Sequence, residues 1–162
     1  MEFPSRKNIR LTGYDYSQTG GYFLTVCTHG RAPTLSRICP GTGTERASVV
    51  LTGFGRIVQE VLRAHGNSHG FTLDAYTIMP DHIHMIVFKT EPTRMTVGQL
   101  IGAVKSSCAT RWYKVCSDRD IPAGELWQRN YYAHILRNEA DYLEKRKYIE
   151  ENPDKWRPGD LC

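Results

Sequence analysis

FTLDAYTIMPDHIHMIVFK, Phe71 to Lys89, is the stretch on which the fold turns. Phe71 to Met79 and His82 to Lys89 are strand-like runs, and the turn pair Pro80-Asp81 between them folds the two into a hairpin. Residues two apart on a strand point the same way. Ile83, Met85 and Val87 therefore line a wholly apolar face, while His82 and His84 stand side by side on the other. The second strand has a core side and a side free for chemistry.

Before this hairpin, Tyr22 to Thr28 (YFLTVCT) follows Gly20-Gly21 and reads as a first strand. Arg31 to Thr44, rich in Pro, Gly and Thr, reads as a mobile surface loop, and Ala47 to Thr52 as a further short strand. Phe54, Ile57, Val58, Val61 and Leu62 recur at helical spacing up to a stop at Gly66-Asn67. After the hairpin, Val97, Leu100, Ile101, Val104, Cys108, Trp112 and Val115 mark one face of a longer helix whose other side is basic. Tyr131 to Leu136 is a last strand. Glu139 to about Glu151 is a last helix, started by Asn138 and ended by Pro153. This order predicts an α+β fold: a ferredoxin-like, split βαβ antiparallel sheet with helices packed on one face. No repeat interrupts it, and residues 1–162 read as a single domain.

The composition, 40% hydrophobic and 23% charged over 162 residues, suffices for one buried core. No run approaches the ~18 apolar residues of a membrane span, and Met1 to Arg10 lacks the apolar centre of an export signal. The expectation is a cytoplasmic protein without a membrane partner. Five scattered cysteines with no CxxC pair fit reduced thiols. A formal charge of +4 permits a polyanionic partner without requiring one.

Two constellations carry chemistry. Paired imidazoles at His82 and His84 suit a divalent cation able to polarise a phosphate oxygen, although two hydrogen-bonded strand histidines would read the same way. On the last helix, Tyr142, Arg146 and Ile149 share a face with Leu143 beside them, whereas Asp141, Glu144, Lys145, Tyr148 and Asn152 form a polar stripe. The Tyr148 phenol is a poor nucleophile when free, but a polarised phosphate nearby would make attack feasible. Asn152 could offer an amide oxygen to the same cation. The plainer alternatives are a packed Tyr148 ring and an Asn152 that merely ends the helix before Pro153.

Taken together, Arg6 to Arg31 (RKNIRLTGYDYSQTGGYFLTVCTHGR), the MPDHIHMIV segment, Leu126 to Arg137 (LWQRNYYAHILR) and Tyr148 to Pro153 (YIEENP) resemble the single-tyrosine HUH transposases of the insertion-sequence-200 type. The likeness is to the relatives associated with repetitive extragenic palindromes. It implies that His82 and His84 are metal ligands, that Asn152 completes the metal site and that Tyr148 is the nucleophile. It further implies Mg²⁺ or Mn²⁺ as the metal and single-stranded DNA with a hairpin or palindrome as the partner. The implied chemistry is a strand transferase that holds the 5′ end as a phosphotyrosine and leaves a free 3′-OH. Such relatives include dimers that lend the tyrosine helix across the interface as well as monomers, so a homodimer stays open.

Other readings compete. Tyr131 and Tyr132 are rival nucleophiles by spacing, and His134, on their strand and open to a place near the site, reads as a hydrogen-bonded strand histidine. His29, His65 and His69 lie in or beside turns and read as solvated. Trp112, Tyr113 and Trp127 could stack on bases, but most of them sit at core spacing. Arg6, Lys7, Arg10, Lys105, Arg111 and Lys114 are candidate phosphate contacts. A His-triad hydrolase fails because Ile86 stands where its third histidine belongs, and structural zinc would need His82 and His84 with thiols such as Cys108 and Cys116. The alternative from another class is a non-catalytic ferredoxin-like module that binds DNA hairpins or single strands.

Overall fold

The computed structural model describes residues 20–157. Along the chain it forms β1 (Gly20–Cys27), β2 (Ser36–Cys39), β3 (Ser48–Leu51), α1 (Gly53–Gly66), β4 (Phe71–Ile78), β5 (His82–Lys89), α2 (Val97–Asp118), β6 (Tyr132–Leu136) and α3 (Glu139–Lys155). The main sheet is antiparallel, in the order β4-β5-β1-β6, and β2 pairs with β3 apart from it. With β5 and β1 central and α1 and α2 as the connections, this is the expected α+β, split βαβ arrangement.

Local chemistry starts each helix where the sequence placed it. Thr52 Oγ1 accepts from Gly55 N at 3.0 Å at the head of α1. Thr96 and Gln99 form a reciprocal capping box on α2, and Asn138 Oδ1 accepts from Asp141 N at 2.8 Å on α3. Gly55 has a packing reason as well, since any Cβ there would collide with the Leu35 carbonyl.

The alternation read from β5 sorts the sheet into two faces. Tyr22, Leu24, Val26, Ile83, Met85 and Val87 meet Phe54, Val58, Leu62, Leu100, Ile101 and Val104 in the main core beneath α1 and α2. Phe23, Ile86 and Ile149 form a smaller cluster on the opposite face, with Phe88, Tyr132, Leu136 and Tyr142 packed against it. The expectation of helices on one face thus holds for α1 and α2, while α3 crosses the other. Apolar burial drives the first face. Polar anchors hold much of the second. A register shift between Leu73 and Ala75 presents Asp74 to α3, where its Oδ2 accepts from Tyr142 Oη at 2.9 Å and Arg146 Nη1 at 3.1 Å.

Two further expectations are corrected. The segment read as a mobile loop contains β2, whose SRIC sequence has little strand signal of its own. It is ordered by pairing with β3 and by Ser36 Oγ donating to the Ile78 carbonyl at 2.8 Å. The last helix does not stop at Pro153 but continues to Lys155. Its final turn is held from outside, because the Asp154 carboxylate accepts from Ala47 N at 2.7 Å and Arg46 Nε at 3.1 Å.

Candidate active site

His82 and His84 lie on the sheet face that α3 covers; Tyr148 meets His84 from the helix, Lys145 reaches Phe23 beside it, and Asn152 follows Tyr148 by one turn with its Oδ1 buried. The two imidazole centroids are 4.5 Å apart, and the Tyr148 ring stands 5.1 Å from that of His84, edge to face. Phe23 forms the floor, stacked at 5.2 Å on His84 and edge-on at 6.0 Å to Tyr148. Trp156, at the end of α3, comes within 6.1 Å of His82. The polar stripe expected to run along α3 is therefore its sheet-facing side for Asp141, Lys145, Tyr148 and Asn152, whereas Glu144 and Leu143 face solvent.

Each imidazole is oriented through its Nδ1. That of His82 meets Asp81 Oδ1 at 2.7 Å, and that of His84 meets Thr25 Oγ1 at 2.8 Å. Asp81 is itself buried and held by Arg31, whose Nε and Nη2 donate to Oδ2 at 3.2 and 3.1 Å. A carboxylate can only accept, so it fixes the Nδ1–H tautomer of His82, and a hydroxyl can accept from His84 in the same way. Both Nε2 atoms are then left with their lone pairs outward.

Those Nε2 atoms are buried and without a hydrogen-bond partner, and so is Asn152 Oδ1. Buried polar atoms are rarely left so. Among the described residues one other such atom occurs, Trp127 Nε1, which is a donor rather than a lone-pair ligand. Burial first, then the neighbouring charges of His82, Arg31 and Lys145, pushes the His84 pKa well below its ordinary value, leaving a neutral imidazole near neutral pH. Two imidazole nitrogens and one amide oxygen are donors of the kind that a divalent cation takes, though no group of three His, Cys, Asp or Glu converges among the described residues.

The remaining candidates separate cleanly. Tyr132 shares the histidine face, two strands from His84, with Thr25 paired between them. Burial, then the Asp141 carboxylate, raises its pKa, which opposes a phenolate there. Tyr131 packs into the main core on the far side of the sheet. His134 is the hydrogen-bonded strand histidine, its Nε2 at 2.9 Å from both Asp141 oxygens. His65 is not simply solvated, since its Nε2 lies 2.9 Å from Ser107 Oγ and ties α1 to α2. Lys105, expected among the phosphate contacts, instead donates to the carbonyls of Gln128, Arg129 and Asn130, and burial brings its pKa down to about 8. Arg111 pairs with Glu60, and Lys114 with Asp118. Arg6, Lys7 and Arg10 fall outside the described residues. Trp112 and Trp127 pack on Phe54, as core spacing implied, whereas Tyr113 is exposed and donates to the Gly124 carbonyl. Cys108 sits in the main core, its thiol pushed up to about 12 by burial, so the zinc grouping is not assembled.

Sequence reasoning passed over Asp81 as a turn residue, and it singled out neither Thr25, Arg31 nor Trp156. Nothing local distinguishes these side chains. They matter through partners distant in sequence.

The fold thus sets a histidine pair on an antiparallel sheet against a helix that carries a tyrosine. The chain belongs to the IS200-like transposases, whose family model matches residues 42–152. A protein of uncharacterised function from Haemophilus influenzae is 28% identical over 96% of this chain and 92% of its own. Among solved structures, a REP-associated tyrosine transposase bound to a REP hairpin matches with a TM-score of 0.62 and 20% identity, over 90% of this chain and 73% of that one. A candidate transposase from Deinococcus radiodurans matches with a TM-score of 0.54 and 22% identity, over 88% of this chain and 95% of that one. At these identities the structural likeness is one of fold. No helix among the described residues is long and apolar enough to cross a membrane.

Proposed function

We propose that this transposase is a metal-dependent single-strand DNA endonuclease and strand transferase, with Tyr148 as nucleophile and His82, His84 and Asn152 as metal ligands. The whole chain is read as one domain devoted to that reaction. The observation that carries the reading is the coincidence of the three orphaned buried atoms, His82 Nε2, His84 Nε2 and Asn152 Oδ1, with a tyrosine ring 5.1 Å from one of those imidazoles.

Bound there, Mg²⁺ or Mn²⁺ would supply Lewis-acid polarisation of the scissile phosphate. Asp81 and Thr25 hold the imidazoles in the tautomer that presents Nε2, the role that outer hydrogen-bond partners play beside ligating histidines. Tyr148 Oη attacks phosphorus, the P–O3′ bond breaks, the phenol proton passes to solvent, and the departing 3′ oxygen takes a proton from solvent. The products are a 5′-phosphotyrosine and a free 3′-OH, and reversal onto another 3′-OH rejoins the strand without a nucleotide cofactor. The DNA partner is single-stranded with a hairpin or palindrome, in keeping with the REP hairpin bound by the structurally similar transposase.

The test is incubation of purified protein with labelled single-stranded DNA carrying the palindromes that flank its gene, with Mg²⁺, Mn²⁺ or EDTA, resolved on a denaturing gel. A metal-dependent covalent adduct is expected. Binding without an adduct under every metal would replace this reading with a hairpin-binding module that does not cut.

A further inference from the structure

Lys145 is the cation of α3 that reaches the aromatic floor beneath the histidine pair. It lies one helical turn before Tyr148, and its Nζ sits 5.6 Å from the centroid of Phe23, the ring that carries both His84 and Tyr148. Its side chain is 18% exposed, against 73% for Lys147 and 65% for Lys155. The other cations of this helix are engaged: Arg146 with Asp74 and Glu150, and Lys147 and Lys155 with Glu151. Among the described residues the ion pair of Lys145 is with Glu144, at 3.7 Å to a carboxylate 75% exposed on the preceding residue. Such a contact is worth little in water.

A half-sheltered ammonium with so weak a partner is a costly arrangement unless an anion completes it. Here it faces the Phe23 ring and the His84 imidazole, and the carboxylate it acts on one turn back, Asp141, is already taken up by His134 and the Arg137 backbone N–H. The Lys145 charge is felt at His84, where it opposes protonation. The anion that this reading brings to the same face is the phosphodiester.

We infer that Lys145 is a further catalytic residue, whose Nζ binds a non-bridging oxygen of the scissile phosphate and stabilises the charge gathering there as Tyr148 attacks. The inference rests on the proposed tyrosine chemistry. In that step the Tyr148 Oη–P bond forms and the P–O3′ bond breaks, the phenol proton goes to solvent, and the leaving oxygen is protonated from solvent. Lys145 keeps its protons throughout and acts through charge and hydrogen bonding alone. The Phe23 face beneath it contributes a weak cation–π attraction that keeps the ammonium over the site before DNA arrives.

The experiment compares single-turnover adduct formation, at saturating single-stranded DNA and Mn²⁺, for the wild-type chain, Lys145→Gln, Lys145→Met and Lys145→Arg, with Glu144→Gln as control. Mn²⁺ affinity, DNA affinity and melting temperature are measured in parallel. The expected result is a loss of about 100-fold in the rate for Gln and Met, the scale of removing one charge-stabilising donor. Arg should recover most of it, Glu144→Gln should match wild type, and Mn²⁺ affinity should not change. Should Gln lower the melting temperature, Met retains the aliphatic stem and isolates the charge. An unchanged rate in Met, an Arg variant as slow as Met, or a loss confined to DNA affinity overturns the assignment while leaving Tyr148 chemistry intact. A wild-type chain that forms no adduct overturns both together.

Discussion

Asp81 and Thr25 each occupy one Nδ1 of the histidine pair, so that both Nε2 atoms are aimed at α3. Replacing Asp81 by Asn weakens this control, because an amide can donate to Nδ1 as well as accept and its pairing with Arg31 loses charge. Isothermal titration should find Mn²⁺ affinity lowered by roughly 10-fold or more, the usual scale for an outer partner of a ligating histidine. Unchanged affinity would reduce Asp81 to its backbone role, in which its carbonyl accepts from Thr28 N at 3.0 Å. Tyr148→Phe should abolish the covalent adduct and spare DNA binding, read by gel and by fluorescence anisotropy; a persisting adduct would move the nucleophile elsewhere. The histidine pair and the tyrosine were open to sequence reading as candidates only, since spacing fitted plain strand and helix roles as well and the family resemblance singled them out. Asp81 was not, because only the fold brings Arg31 to its other oxygen.

At the scale of the element, α3 decides whether the site exists. Ile149 is its one fully buried side chain, packed with Phe23 and Ile86. Ile149→Ala should cost roughly 2–5 kcal/mol in urea unfolding and slow adduct formation, because the same helix carries Tyr148. A stability loss with an unaltered rate would show that the helix keeps its seat without this contact. At the far end, the strand β3 approach clamps the last turn through Arg46 and Ala47. Asp154→Ala should therefore speed amide exchange in the final turn of α3 but not in β1 or β5, as hydrogen exchange by mass spectrometry would report. The continuation past Pro153 could not be read locally, since proline argues for a stop and the opposing contact comes from a hundred residues away.

For the whole molecule, metal binding and stability should be linked. If His82, His84 and Asn152 hold a cation in the folded state alone, Mn²⁺ at about 100 times its dissociation constant stabilises the fold by ~2.7 kcal/mol. The melting temperature should rise accordingly, fall back with EDTA, and not respond in His84→Ala; an equal rise in that variant would place the binding elsewhere. The sequence by itself determined five of the six strands, the three helices, the antiparallel α+β class and the spacing of His82 with His84 and Tyr148 with Asn152. All of these follow from periods of two and of 3.6 residues, which are properties of the local backbone. Only the tertiary structure decided that α3 lies against the histidines. That helix has a single buried apolar residue and is seated by Asp74, His134 and Arg46, polar partners from three other segments that no periodicity along α3 could reveal.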